Sequence, residues 1–134
     1  MKRLEGLWRL VDGRAWDGQG RELAPPYGRL PFGEIMIRDG RMLAALCKGD
    51  ADLPAGASRG FSSYGGRCSF DGSTLVTLVD MASDPQRVGG EQRRGVVFVD
   101  EDTMILHPPP RDYEGSLERR ELRWQRVWRP DGEA

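Results

Sequence analysis

Only one histidine and two cysteines occur in the 134 residues of this chain. They are too few and too scattered for a structural zinc site, whose ligands come in close pairs, so no metal is expected. An excess of charge of one sign is also missing. The 21 acidic and 20 basic residues leave a formal net charge of −1, and no stretch concentrates charge beyond Arg93-Arg94 or the mixed run Glu118-Arg119-Arg120-Glu121. Phosphate backbones are held by a basic face or stripe, so nucleic acid is not an expected partner. No apolar run approaches the roughly 18 residues of a membrane-crossing helix, and no membrane association is expected. A phosphate loop and a dinucleotide fingerprint are both absent, so no nucleotide cofactor is expected. Ser62-Ser63 lacks the glycines of a nucleophile elbow, and the lone His107 has no placed acid to complete a triad.

Helical signals are weak throughout. Residues 1–5 lead at once into a glycine and a strand, without the apolar stretch and cleavage site of a secretory signal, which predicts a cytoplasmic protein. In that reducing setting Cys47 and Cys68 are expected to be free, small packing residues rather than a disulfide.

Glycine, proline and Asp-Gly pairs punctuate the chain at the spacing of an all-β meander. Gly6-Leu7-Trp8-Arg9-Leu10-Val11 has a period of two, with Trp8 and Leu10 on one side, and opens a strand over 6–16. A short return strand follows at 21–23 and stops at Pro25-Pro26. Residues 33–38 and 41–47 form the clearest hairpin, turning at Asp39-Gly40. A strand over 60–70 turns at Asp71-Gly72 into one over 73–80, and Gly65-Gly66 marks a bulge or bend inside it. Strands over 92–99 and 103–107 precede Pro108-Pro109-Pro110, and a last strand runs over 117–128. Its segment Leu122-Arg123-Trp124-Gln125-Arg126-Val127-Trp128 alternates like the first strand, so pairing the two ends removes the open edges.

These elements predict an all-β fold: an antiparallel up-and-down barrel of about 8–10 strands with little or no helix. A two-sheet sandwich is the alternative. One domain is expected over residues 4–128, followed by a frayed tail at 129–134.

The chain resembles the bacterial lipocalin-like domain proteins of the calycin group. The resemblance rests on the opening Gly6 to Val11 segment, the hairpin of residues 33–45, and Ser63-Tyr64-Gly65-Gly66-Arg67 with Phe70-Asp71. It continues through Asp84-Pro85 to Gly89, Gln92 and Arg94, then Leu106 with Pro108-Pro109, and the closing Leu122 to Arg126 segment. It implies a small-molecule container. It also implies that Trp8 closes the barrel floor with the basic Arg126 over its face, both in structural roles. Two departures stand out. The loop at 48–58 is short where many relatives carry a longer helical segment, and Thr77 and Leu78 stand where relatives often place histidines.

Alternation sorts the strands into faces, and a slip of one residue would invert each list. On the 33–38 strand both sets are open: Ile35 with Ile37, or Met36 with Glu34 and Arg38. Further same-face series are Met42, Ala44 and Leu46; Tyr64, Cys68 and Phe70; Val76, Leu78 and Asp80; and Gln92, Arg94, Val96 and Phe98. Apolar walls with a few polar groups are the composition of a ligand pocket. Arg94 needs a carboxylate, from Asp80, Glu34 or a ligand, because a guanidinium among apolar neighbours is costly alone. The candidate ligand-binding residues are therefore Arg94, Tyr64, Asp80, Met36, Met42, Leu46, Leu78 and Phe98.

The leading expectation is a protein that binds a small, largely apolar ligand bearing an acidic or phenolic group. A cofactor-free isomerase, cyclase or dehydratase in the same pocket is a second reading, with Asp80 or His107 moving a proton. A protein-interaction module with a filled barrel is a third. A homodimer is compatible with any of them.

Overall fold

The computed structural model describes residues 1–49, 54–57, 61–113 and 115–130. The 131–134 end of the expected tail, and residues 50–53 and 58 of the 48–58 loop, lie outside the described residues.

Ten strands follow in chain order: β1 (Gly6–Trp16), β2 (Glu22–Leu23), β3 (Pro31–Arg38), β4 (Arg41–Lys48), β5 (Ser62–Phe70), β6 (Thr74–Ala82), β7 (Glu91–Asp100), β8 (Thr103–His107), β9 (Arg111–Tyr113) and β10 (Ser116–Trp128). Each pairs antiparallel with its neighbour, and β1 pairs with β10, with Leu10 opposite Trp124. Eight strands close into a ring, while β2 and β9 flank it as short extensions of β1 and β10. The fold is thus a closed barrel and not a two-sheet sandwich. Strand β9 falls where the sequence reads as loop; it pairs with the start of β10 through Leu117 opposite Asp112.

Local chemistry explains the hairpins. Asp39 and Gly40 both adopt left-handed backbone, with φ of 53° and 76°, as a two-residue turn between right-twisted strands requires. The Asp71 carboxylate accepts from the Ser73 and Thr74 backbone N–H groups at 2.9 and 2.8 Å. That turn sets Phe70 opposite Leu75. Directly opposite residues share a face, so the inner residues of β6 are Leu75, Thr77 and Val79, all buried. The expected series Val76, Leu78 and Asp80 is therefore the wrong face of that strand. The register then shifts beside Gly65-Gly66, where Asp80 is the extra residue between the Gly66–Val79 and Gly65–Met81 pairs. A second bulge at Val11 keeps both halves of β1 inward, with Trp8 and Leu10 below it and Ala15 above.

The lower half of the barrel is packed solid. Trp8, Ile37, Leu75 and Met104 are almost wholly enclosed there, and Thr77 donates its hydroxyl to the Met42 sulfur at 2.9 Å. A single 3₁₀ turn, Lys2–Leu4, caps this end, and the Trp8 indole N–H donates to the Leu4 carbonyl at 2.9 Å. Arg126 lies over the Trp8 ring at 4.5 Å. Its guanidinium donates to the Asp102 carboxylate and to the backbone carbonyls of Arg3, Glu5 and Glu101. Cys47 and Cys68 are buried and free.

Candidate functional site: the cavity at the barrel mouth

At the other end the barrel is not filled. A cavity of about 290 Å³ opens there, room for roughly ten waters at about 30 Å³ each. Its apolar wall consists of Ile35, Leu46, Leu106, Leu122 and Trp124, one or two from each of β3, β4, β8 and β10. Its polar groups are Tyr27, Ser62, Tyr64, Arg87, Gln92 and Arg94.

Two inward residues of β7, Gln92 and Arg94, project into this space because alternation with the buried Val96 puts them on the inner face. Arg94 is half-buried and, among the described residues, has no carboxylate partner; its hydrogen bond runs to the Arg93 carbonyl at 2.8 Å. Burial pushes its guanidinium below the ordinary value, with the Arg87 charge adding to that and Tyr64 opposing it. The group still stays charged at neutral pH, since arginine starts so high.

Arg87 comes from the 3₁₀ turn Pro85–Arg87, which the Asp84 carboxylate caps by accepting from the Gln86 N–H at 3.0 Å. Its guanidinium lies 4.4 Å over the Tyr64 ring, donates to the Gln92 side-chain carbonyl, and reaches the Ser62 hydroxyl at 3.4 Å. Burial pushes the Tyr64 phenol above its usual value, while Arg94 and Arg87 pull the other way. Tyr64 is therefore a neutral hydrogen-bond donor at physiological pH.

Two donors on cavity-lining residues, Gln92 Nε2 and Trp124 Nε1, are themselves shielded from solvent and have no hydrogen-bond partner among the described residues. The Arg87 donor fixes the amide orientation of Gln92, because the opposite placement would set two donors against each other.

Of the expected ligand-binding residues, Arg94, Tyr64 and Leu46 meet at this cavity. Met42 is buried lower in the barrel, and Phe98 lies toward the floor, edge-on to Phe70 and beneath the Arg3 guanidinium. Met36, Leu78 and Asp80 are on the outer face and cannot line the interior. Asp80 pairs with Arg41, and Glu34 with Arg9 at 3.5 Å, so neither carboxylate neutralises Arg94. His107 alternates with the buried Leu106 and faces outward, where its Cβ packs near Gly95. The proton-moving roles considered for Asp80 and His107 are thus outside the cavity.

Arg87, Tyr27, Ser62 and Trp124 are not among the ligand-binding residues expected from the sequence. Trp124 had a usable signal, since it alternates in step with Arg126, which the resemblance places on the floor. Arg87 and Tyr27 lie off the barrel strands, where alternation says nothing.

A larger surface groove of about 510 Å³ lies outside the barrel beside Phe32 and Phe61. Its charged groups, Arg9 and Glu34, already face each other. Of these two, the mouth cavity is the one lined by a guanidinium with no carboxylate partner among the described residues.

The family model for the lipocalin-like domain matches residues 5–129. Among solved structures, a redesigned β-barrel is similar at 12% identity with a TM-score of 0.44, covering 92% of this chain and 91% of that one. A search of curated proteins gives no match.

Proposed function

The chain belongs to the lipocalin-like domain family, and from that premise we propose that its mouth cavity holds a small, largely apolar organic molecule whose acidic or phenolic oxygen faces Arg94. The observation that carries this reading is an inward guanidinium with no carboxylate partner among the described residues, set above an apolar wall. An unpaired charge in such a place costs folding energy, and a ligand oxyanion offsets that cost. The cavity is near the lower end of the usual small-molecule range of about 300–1,000 Å³, which fits a compact ligand. The barrel supplies a rigid, preformed wall, so little ordering accompanies binding.

Among the described lining residues, no carboxylate or imidazole is present to take up a proton. That favours binding over acid–base catalysis. Free cysteines support a reducing, cytoplasmic setting for this role.

Thermal-shift titration with naphthoate, naphthol and naphthalene methyl ether tests the reading, alongside mass spectrometry of small molecules released on denaturation. Stabilisation by the acid or the phenol is expected, and Ser62→Trp, which fills the mouth, should abolish it. Absence of any shift with all three probes, together with no released molecule, would overturn the proposal.

A further inference from the structure

Two cations, not one, stand at this cavity without a carboxylate. Arg94 on β7 and Arg87 on the 3₁₀ turn both line it, and neither forms an ion pair with a described residue. Of the five N–H groups that a guanidinium carries, Arg94 commits one to the Arg93 carbonyl, and Arg87 commits two, to Ser62 and Gln92. The Arg87 charge depresses the Arg94 guanidinium, and both act on the Tyr64 phenol, so the three groups are close neighbours. Two like charges held side by side and half-buried repel each other. A ligand with one negative charge offsets only one of them.

The same two arginines also border a second space. Arg87, Gln92 and Arg94 are shared between the mouth cavity and an outer cleft of about 370 Å³, where Glu91 and Arg93 pair with each other at 2.9 Å. Arg120, the other cation acting on Arg94, is paired with Glu118 at 3.1 Å. The uncompensated charge is therefore confined to the partition between an apolar chamber and a cleft rimmed by the exposed Gln86, Gly90 and Glu91. Resting on the container reading above, we infer that the ligand is a phosphate monoester of a compact apolar body: the doubly charged headgroup sits between Arg87 and Arg94, and the body lies against Ile35, Leu46, Leu106 and Leu122. Three acceptor oxygens on one tetrahedral centre reach both guanidiniums at once, and two negative charges balance two positive ones. The Ser62 and Tyr64 hydroxyls beside Arg87 turn to donate to the same oxygens.

Naphthyl phosphate and naphthyl sulfate share the ring, the ester oxygen and three terminal oxygens. They differ in charge, because the sulfate keeps one negative charge while the phosphate gains its second at about pH 6. Calorimetry at pH 8 should show the phosphate binding about tenfold tighter or more, the effect of one further charge-assisted contact, and at pH 5 the two esters should agree to within about twofold. Inorganic phosphate lacks the apolar body and should bind at least about tenfold more weakly than the naphthyl ester. Arg87→Met, a change outside the barrel strands, should bring the two esters together at pH 8. Equal binding of the esters by the unaltered protein at pH 8, a phosphate preference that persists at pH 5 or in the variant, or inorganic phosphate binding as tightly as its ester overturns the inference. If neither ester binds but naphthoate or naphthol does, the phosphate inference falls and the container reading stands. If those fail as well and denaturation releases no molecule, both fall.

Discussion

The Arg126 guanidinium lies 4.5 Å over the Trp8 ring and joins the last strand of the barrel to the first. The side chain of Arg126 is 4% exposed, yet it donates four hydrogen bonds, to one carboxylate and three backbone carbonyls. Two of those carbonyls belong to Arg3 and Glu5, so one side chain fastens the N-terminal 3₁₀ turn across the floor.

Replacing Arg126 by Met should therefore destabilise the protein by roughly 2–5 kcal/mol, through lost charge-assisted hydrogen bonds and the lost ring contact. Urea unfolding followed by tryptophan fluorescence measures it. A loss below about 1 kcal/mol would show that the floor is held by apolar packing alone.

Acid should weaken contacts near both ends of β10, Asp102 with Arg126 near one and Glu118 with Arg111 and Arg120 near the other. The Arg126 hydrogen bond holds the Asp102 carboxyl below its usual value, with Arg129 adding to it. For Glu118, burial raises the value, but the hydrogen bonds and charges of Arg111 and Arg120 outweigh it and leave the carboxyl lowered. Both groups bind a proton more readily when unfolded, so their contribution is present above the unfolded values and is lost as pH falls through the folded ones. Urea midpoints should hold steady from neutral pH to about pH 5 and decline from there toward about pH 3. Asp102→Asn should make that decline shallower; an unchanged slope would remove Asp102 from the account.

Arg94 should behave in the opposite sense to Arg126. It is charged, partly desolvated and without a carboxylate partner among the described residues, so Arg94→Met should raise the stability of the ligand-free protein by about 0.5–2 kcal/mol while abolishing the preference for acidic ligands. Thermal unfolding of the two proteins without ligand makes the comparison. A destabilised variant would mean that the guanidinium serves the fold.

Gly66 stands opposite the β6 bulge, and a Cβ added there would lie 1.9 Å from the Leu78 carbonyl oxygen, with φ at 159°. Backbone cannot yield as a side-chain tip can, so Gly66→Ala should cost at least 1–3 kcal/mol, the ordinary range for overpacking. Gly56→Ala is a useful contrast: its Cβ meets nothing within 4 Å, leaving only the strain of its left-handed φ of 84°. If Gly66→Ala proves the milder of the two on urea unfolding, the bulge tolerates repacking.

Much of the barrel is legible residue by residue. Asp39-Gly40 specifies its own turn, and the alternation around Trp8 and around Trp124 identifies the strands that pair. Inner faces were legible only where neighbouring side chains differ enough in polarity. On β7, Gln92, Arg94, Val96 and Phe98 stand on the expected side. On β6 both sets contain two large apolar residues and one polar residue, so Val76, Leu78 and Asp80 look as suitable as Leu75, Thr77 and Val79. The pairing of Phe70 with Leu75 decides between them.

The order of strands, the turns and the closure of first strand on last follow from local periodicity and turn chemistry, which the chain carries in its own short segments. What lies inside does not. Whether Arg94 meets Asp80, Glu34 or neither depends on bulges and cross-strand register, and Arg87 arrives from a turn that no alternation describes. The cavity is the space left when side chains from β3, β4, β8 and β10 do not reach one another, and only their packing in three dimensions sets that distance.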